Sequence, residues 1–332
     1  MEKHIVITGG CGFIASHFVE HIYRKTNWKI SILDKLTYAS NGLERIRDCG
    51  LITSPRVQIY TCDLTYPVSE GISKELGEVD YIIHMAAETH VDNSIKNPVG
   101  VIQNNVMSTL YVLEYARTQL GVLEKFFYFS TDEVYGSAPP GTSYRETDRH
   151  NPTNPYSASK SAGEQMCVAY ENTYKIPLVM VNVMNAFGER QHVEKFIPKC
   201  IRGILNGEKI LIHSDPTCTL AGSRFYIHSR NISDAVLFLI DNGVVGELYH
   251  ITGEREVSNL QMAQMIAEEL GKELVYEMVN FHEDRPGHDM RYALDGTKLA
   301  NAGWSPPLDF EKSLKNTIRW TLKNPKWLED TV

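Results

Sequence analysis

The chain alternates short apolar runs with longer stretches of helical period. His4-Ile5-Val6-Ile7-Thr8, Lys29-Ile30-Ser31-Ile32-Leu33, Val57-Gln58-Ile59-Tyr60-Thr61 and Tyr81-Ile82-Ile83-His84-Met85-Ala86-Ala87 read as four strands. Phe126-Phe127-Tyr128-Phe129, the run Ile176 to Val181 and Ile210-Leu211-Ile212-His213 read as three more. Nearly continuous β-branched and aromatic runs suit strands covered on both faces, as in a parallel sheet. Phe18, Val19 and Ile22 recur at helical spacing after the first strand, and a second helix is predicted to open at Asn104-Asn105 and run through Leu110, Leu113 and Glu114. Asn154-Pro155 supplies a start for a third helix. Strands alternating with helices predict an α/β protein with a parallel sheet.

The turn after the first strand carries Gly9-Gly10-Cys11-Gly12-Phe13-Ile14-Ala15. Glycines between a strand and a helix let the backbone turn sharply and approach a pyrophosphate at the helix N-terminus. The second strand ends at Asp34. An acid roughly twenty residues past the glycines suits the adenosine ribose hydroxyls and repels a 2′-phosphate, which favours NAD over NADP. A helix cap is the bland alternative for Asp34. Small residues at Ala86 and Ala87 would let a cofactor lie close. These features specify the fold class: a Rossmann-type doubly wound parallel sheet with a smaller C-terminal lobe. We expect a dinucleotide-binding domain over residues 1–180, including Tyr156 and Lys160, and a mainly substrate-binding lobe over 181–332, with the chain free to cross back.

Candidate chemistry concentrates between Ser130 and Lys160. Thr131, Asp132 and Glu133 should sit where a central strand ends, a usual ligand position in open α/β sheets. Tyr156 and Lys160, four apart, fall on one face of a helix. A tyrosine hydroxyl is a poor base at neutral pH, and a neighbouring ammonium favours the phenolate. The phenolate can then take a proton from a sugar hydroxyl as hydride leaves. Asp132 and Glu133 add a second acid/base pair if their environments push their pKa values apart. Either motif alone is as easily an amphipathic helix or a solvated turn; together, downstream of the glycine turn, they favour chemistry.

Composition narrows the class. The net charge of −8 argues against a general nucleic-acid surface. The six cysteines are scattered, with no Cys-x-x-Cys pair, and read as reduced residues of a cytoplasmic protein. The first residues lead straight into a strand, so no signal peptide is expected, and no apolar run approaches membrane-spanning length. His282, Glu283, His288 and Asp289 lack a fixed ligand spacing, so no metal site is expected.

These motifs resemble the extended short-chain dehydrogenase/reductases over nearly the whole chain. Within them the chain is most similar to nucleotide-sugar 4,6-dehydratases of the dTDP-glucose type. Gly9 and Gly12 match Gly-x-x-Gly-x-x-Gly, with Ala15 third. Asp34-Lys35-Leu36-Thr37-Tyr38-Ala39 resembles the following turn, and Ala86-Ala87-Glu88-Thr89-His90-Val91-Asp92-Asn93-Ser94 resembles Ala-Ala-Glu-Ser-His-Val-Asp-Arg-Ser. The resemblance implies Phe13, Ile14, Lys35, Thr37, Asp63 and Leu64 at the cofactor, with the last two near adenine. It implies Glu88, His90, Asn185, Glu194, Lys195, Ile197, Pro198, Arg224, Arg285 and His288 at a nucleotide-diphosphate sugar, with Arg224 and Arg285 on the diphosphate. It also implies a homodimer through helices around Asn105–Tyr115 and Ser157–Tyr170. Departures fall at Asn182, Ala186 and Glu189, and in a longer loop over 214–223.

The chemistry implied is C4 oxidation by NAD⁺ with Tyr156 and Lys160, and Thr131 on the C4 oxygen. Glu133 then takes the C5 proton, Asp132 protonates the leaving C6 hydroxyl, and hydride returns to C6. The alternatives are a 4-epimerase, a nucleotide-uronate decarboxylase and a non-catalytic NAD-binding scaffold. The Asp132-Glu133 pair argues against the first two, and the intact acid/base set against the third.

Overall fold

Residues 3–280 and 289–329 are described by the structure, a computed structural model. Seven parallel strands form the central sheet: β1 (His4–Thr8), β2 (Lys29–Asp34), β3 (Val57–Thr61), β4 (Tyr81–His84), β5 (Lys125–Thr131), β6 (Leu178–Val183) and, after four strands that lie outside it, β11 (Glu247–Ile251). Their order across the sheet is β11-β6-β5-β4-β1-β2-β3. Strand order therefore reverses between β1 and β4, which opens a crevice at the carboxyl ends of these strands. All positions of β1, β4 and β6 are buried, as their mainly apolar runs require, and polar members such as Thr8, His84 and Asn182 are hydrogen-bonded.

Helices cover both faces. On one, α1 (Phe13–Lys25) packs with α8 (Ser229–Asn242) over Ile5, Ile7, Val179 and Val181. On the other, α5 (Pro98–Thr118) and α6 (Pro155–Tyr174) lie together over Ile82, Phe126, Tyr128 and Leu178. Between these lie three short helices, α2 (Glu44–Asp48), α3 (Glu70–Leu76) and α4 (Val91–Lys96). Helix α5 begins six residues earlier than the expected start at Asn104. Pro98 occupies its first turn and the Asn97 side chain accepts from the Gly100 amide at 3.1 Å, a stronger start signal than Asn104-Asn105. Strand β4 stops at His84 rather than Ala87, because the Met85 and Ala86 amides turn onto the Thr8 hydroxyl at 3.1 and 3.2 Å.

A second core lies under α7 (Phe196–Leu205) and α9 (Asn259–Leu270), joined by the helix Phe310–Lys323. It carries the small strands β7 (Ala186–Phe187), β8 (Ile210–Ser214), β9 (Ser223–Phe225), β10 (Ile227–His228), β12 (Glu256–Ser258) and β13 (Tyr276–Asn280). The 180/181 position falls inside β6, and residues 227–251 return to the sheet as α8 and β11. Among the described residues no helix is long and apolar enough to cross a membrane, and no cluster of three or more His, Cys, Asp or Glu could hold a metal ion. All six cysteines are free.

Candidate active site

The chain leaves β1 through Gly9 at φ +68, where an added Cβ would stand 2.7 Å from Ala86 Cα. Only glycine fits a left-handed turn pressed against the end of β4. Gly12 then starts α1 in an extended conformation with no side-chain cap, so its first amides face outward for an anion. Asp34, buried at the end of β2, accepts from the Cys11 amide at 3.0 Å and the Leu36 amide at 2.8 Å. Burial pushes its carboxyl up, while those two amides pull it down. The carboxylate thus braces the glycine turn as well as facing the crevice.

One cavity of about 740 Å³ opens here. Gly9, Gly12, Phe13, Ile14, Asp34, Lys35, Thr37, Asp63, Leu64, Ala86 and Ala87, all expected at the cofactor, line it together. Glu88, His90, Asn185, Glu194, Lys195, Ile197 and Arg224, expected at the substrate, line the same cavity. Pro198 does not; it is buried in the first turn of α7, where its ring packs inward. Arg285 and His288 lie outside the described residues. Arg224 spends Nη1 on the Ser223 and Met290 carbonyls and Nη2 on the Asp289 carbonyl, and stacks 4.5 Å over Tyr292. Its positive charge still reaches the site, where it opposes the rise in the Asp132 pKa. The Asn185 side-chain oxygen is buried without a hydrogen-bond partner beside the cavity.

The acid/base residues meet where β5 ends. Thr131 is the last residue of β5, and Asp132 and Glu133 follow in a single 3-10 turn. Tyr156 and Lys160 face them from the first turns of α6. Asn154 caps that helix through Ser157 N at 2.9 Å, in a reciprocal capping box. Gly163 lets α6 lie on Tyr128: a Cβ there would fall 2.0 Å from the Tyr128 hydroxyl. The Lys160 ammonium consequently rests 4.3 Å over the Tyr128 ring.

Burial dominates the electrostatics. It lifts Asp132 to about 7, with the Glu133 carboxylate adding to the rise and the Thr131 hydroxyl, donating at 2.9 Å, opposing it. Asp132 Oδ2 is buried with no partner. Burial lowers Lys160 to about 8. Tyr156 is pushed well up, first by burial and then by Glu133 and Asp132, against the Thr131 hydroxyl. The expected depression of the tyrosine by Lys160 is not what the packing produces.

Two contacts to Glu133 were not anticipated. Asn154 Nδ2 donates to Glu133 Oε2 at 3.3 Å, and the Tyr292 hydroxyl donates to the same oxygen at 3.4 Å. Asn154 signalled only a helix start, and Tyr292 lies 159 residues away, so neither role is visible locally. Asn105 is no cap: from mid-helix it accepts from the Glu88 amide at 2.8 Å and donates to the Glu88 carbonyl and to Ser159 Oγ. It fixes the Glu88 loop to α6.

A parallel sheet reversed at this crevice, a glycine turn into α1 and a Tyr-Lys pair beside β5 define a Rossmann-type dinucleotide-binding protein with acid/base residues at the cofactor. The chain belongs to the NAD dependent epimerase/dehydratase family, which matches residues 5–252. It is 36% identical to a dTDP-glucose 4,6-dehydratase of Neisseria gonorrhoeae, covering 97% of this chain and 96% of that one. It is 34% identical to a trifunctional UDP-glucose 4,6-dehydratase/3,5-epimerase/reductase of Arabidopsis thaliana, over 99% of this chain and 48% of the plant protein. Its fold matches a dTDP-glucose 4,6-dehydratase of Streptomyces venezuelae, solved with NAD bound, at TM-score 0.87 and 31% identity, covering 98% and 100% of the two chains. The family read from the motifs is therefore the right one.

Proposed function

We infer that this chain is an NAD-dependent nucleotide-sugar 4,6-dehydratase, converting a nucleoside-diphosphate hexose to its 4-keto-6-deoxy product. The observation that carries this reading is Asp132, buried and neutral up to about pH 7, beside Glu133 at the end of β5. A neutral acid next to a carboxylate is what an elimination of water needs. The dTDP-glucose and UDP-glucose 4,6-dehydratases among the relatives support the same reading.

When bound, NAD⁺ accepts hydride from the sugar and later gives it back. The glycine turn, the Asp34 carboxylate and the small residues Ala86 and Ala87 fit such a group, since a Cβ on Gly9 would block the turn. Tyr156, assisted by Lys160, takes the C4 hydroxyl proton, and Thr131 hydrogen-bonds the C4 oxygen. The resulting ketone acidifies C5–H. Glu133, oriented by Asn154 and Tyr292, removes that proton. Asp132 gives its proton to the departing C6 hydroxyl, and the C5 carbon is finally reprotonated. Glu88, His90, Asn185, Glu194, Lys195 and Ile197 hold the sugar nucleotide, with Arg224 adding positive potential at the diphosphate end.

We place the enzyme in the cytoplasm as a homodimer. Its free cysteines suit a reducing compartment, and Val99 and Ile102 stand exposed on α5 beside α6, at 64% and 40%. The C-terminal lobe around α7 and α9 is taken as the main sugar-nucleotide side.

The test follows the hydride. A nucleoside-diphosphate hexose deuterated at C4 should give product deuterated at C6 with no added reductant, and D₂O should label C5. Deuterium returned to C4 would mean an epimerase. Carbon dioxide release from a uronate would mean a decarboxylase, and either outcome sinks the dehydratase reading.

A further inference from the structure

Arg45, on α2, is the largest fully buried side chain among the described residues. No carboxylate forms an ion pair with it there. Its Nε donates to the Arg190 carbonyl at 2.9 Å, and its Nη1 to the Ala39 and Ser40 carbonyls at 2.7 and 2.6 Å. A longer contact of 3.4 Å reaches the Cys11 carbonyl in the glycine turn. Nη2 is buried with no partner. One guanidinium thus joins three segments that border the cavity: the glycine turn, the turn after β2 and the loop after β7. Arg45 itself lines that cavity.

A buried guanidinium met only by carbonyls is poorly compensated, because their dipoles replace only part of its lost hydration. On its outer side the C-terminal turn Pro325–Leu328 closes the site. Trp327 lies 5.2 Å from the guanidinium carbon and is 4% exposed. The turn is fastened to α2 itself: Trp327 Nε1 donates to Asp48 Oδ2 at 2.9 Å, and Lys326 Nζ reaches Asp48 Oδ1 at 2.7 Å. Arg190 also lies against a tryptophan, 6.0 Å from Trp320, but unlike Arg45 it is paired with a carboxylate, Glu20 of α1 at 2.9 Å.

We propose that Arg45 and the turn Pro325–Leu328 form a latch that retains the dinucleotide in its crevice. The proposal rests on the NAD-dependent reading above. The two peptide groups flanking Cys11 are held in turn, the N–H by Asp34 and, through the longer contact, the carbonyl by Arg45, which keeps the loop in shape. Asp34 lends Arg45 some negative potential across the glycine turn without pairing to it, and a pyrophosphate at the start of α1 would add the rest. Trp327 excludes water from the outer side, which strengthens that attraction. Retention also suits the chemistry, since one cofactor molecule must stay for both hydride transfers. Arg45 and Trp327 are positioning residues and touch no reacting atom.

The test compares wild type with Arg45→Gln and, separately, Trp327→Ala. Each protein is desalted, its NAD(H) is released and counted, and exchange with isotopically labelled NAD⁺ is timed. Wild type should keep its cofactor. Both variants should lose it on desalting, exchange it about tenfold faster or more, and regain activity with saturating NAD⁺. If Arg45→Gln does not fold, Trp327→Ala decides alone. A variant that melts earlier without its cofactor yet exchanges NAD⁺ at the wild-type rate is merely destabilised, and that overturns the latch. Wild type that binds no NAD at all would overturn the cofactor reading and the latch together.

Discussion

Replacing Asp132 by Asn should stabilise this protein while abolishing dehydration. The carboxyl titrates near its usual 3.8 in the unfolded chain and about 7 in the folded one. The folded state therefore holds its proton longer, so stability is highest below about pH 4 and falls as pH rises towards 7, then levels off. Each pKa unit is worth about 1.4 kcal/mol, so the charged form costs the folded state about 4 kcal/mol above pH 7. Asparagine cannot ionise, and its carbonyl can still accept from the Thr131 hydroxyl that now reaches Oδ1 at 2.9 Å. The group at Oδ2 is unpartnered in either residue and nearly cancels.

The gain should be about 2 kcal/mol at pH 5 and about 4 kcal/mol at pH 8. For a chain of 332 residues, with an unfolding entropy of about 2 cal/mol/K per residue, that corresponds to about 3 °C and about 6 °C in Tm. Thermal unfolding of both proteins between pH 5 and 8 reads the difference directly. A Tm difference that does not grow with pH would show that Asp132 is ionised in the folded state, and the general acid would have to be sought elsewhere. Product formation in the variant should be lost at every pH, which separates the stability effect from the catalytic one.

Glu133→Gln should slow elimination more than oxidation, so a single turnover should build up bound NADH; loss of both steps together, with cofactor still bound, would remove Glu133 from its role. Gly9→Ala puts a Cβ 2.7 Å from Ala86 Cα at φ +68 and should cost about 2–4 kcal/mol of stability and most NAD binding, read by melting and by cofactor titration. Asp34→Ala should narrow the preference for NAD⁺ over NADP⁺, measured as the ratio of their binding constants, and an unchanged ratio would take Asp34 away from the ribose.

The sheet and the cofactor turn were legible because their causes are local. A strand buried on both faces must be mostly apolar, and a tight approach between β1 and β4 must be glycine. Thr131, Asp132 and Glu133 were found for the same reason, since the aromatic run before them marks where a central strand ends. What escaped was convergence. Asn154 and Tyr292 meet on Glu133 from segments far apart in sequence, and Arg45 gathers carbonyls from Cys11, Ala39, Ser40 and Arg190. Nothing near Arg45 in sequence distinguishes it from the exposed arginine two residues later. Pro198 shows the converse: a run can match a family pattern while only some of its side chains line the cavity.

The helical spacing of Tyr156 and Lys160 was legible, but their electrostatics were not. Spacing alone sets an ammonium beside a phenol and implies that the phenolate is favoured. The structure seats both groups out of water, and desolvation moves each towards its neutral form: Lys160 down to about 8 and Tyr156 upwards. Two carboxylates nearby oppose the phenolate further. Asp132 resolves part of that conflict, because at neutral pH it can keep its proton, leaving Glu133 as the negative neighbour. In the mechanism proposed above, the proton that Asp132 donates in the elimination is the one that first eases the oxidation. On that proposal Asp132 links the two half-reactions before any substrate atom moves, and a carboxylate ionised at that position would hinder both.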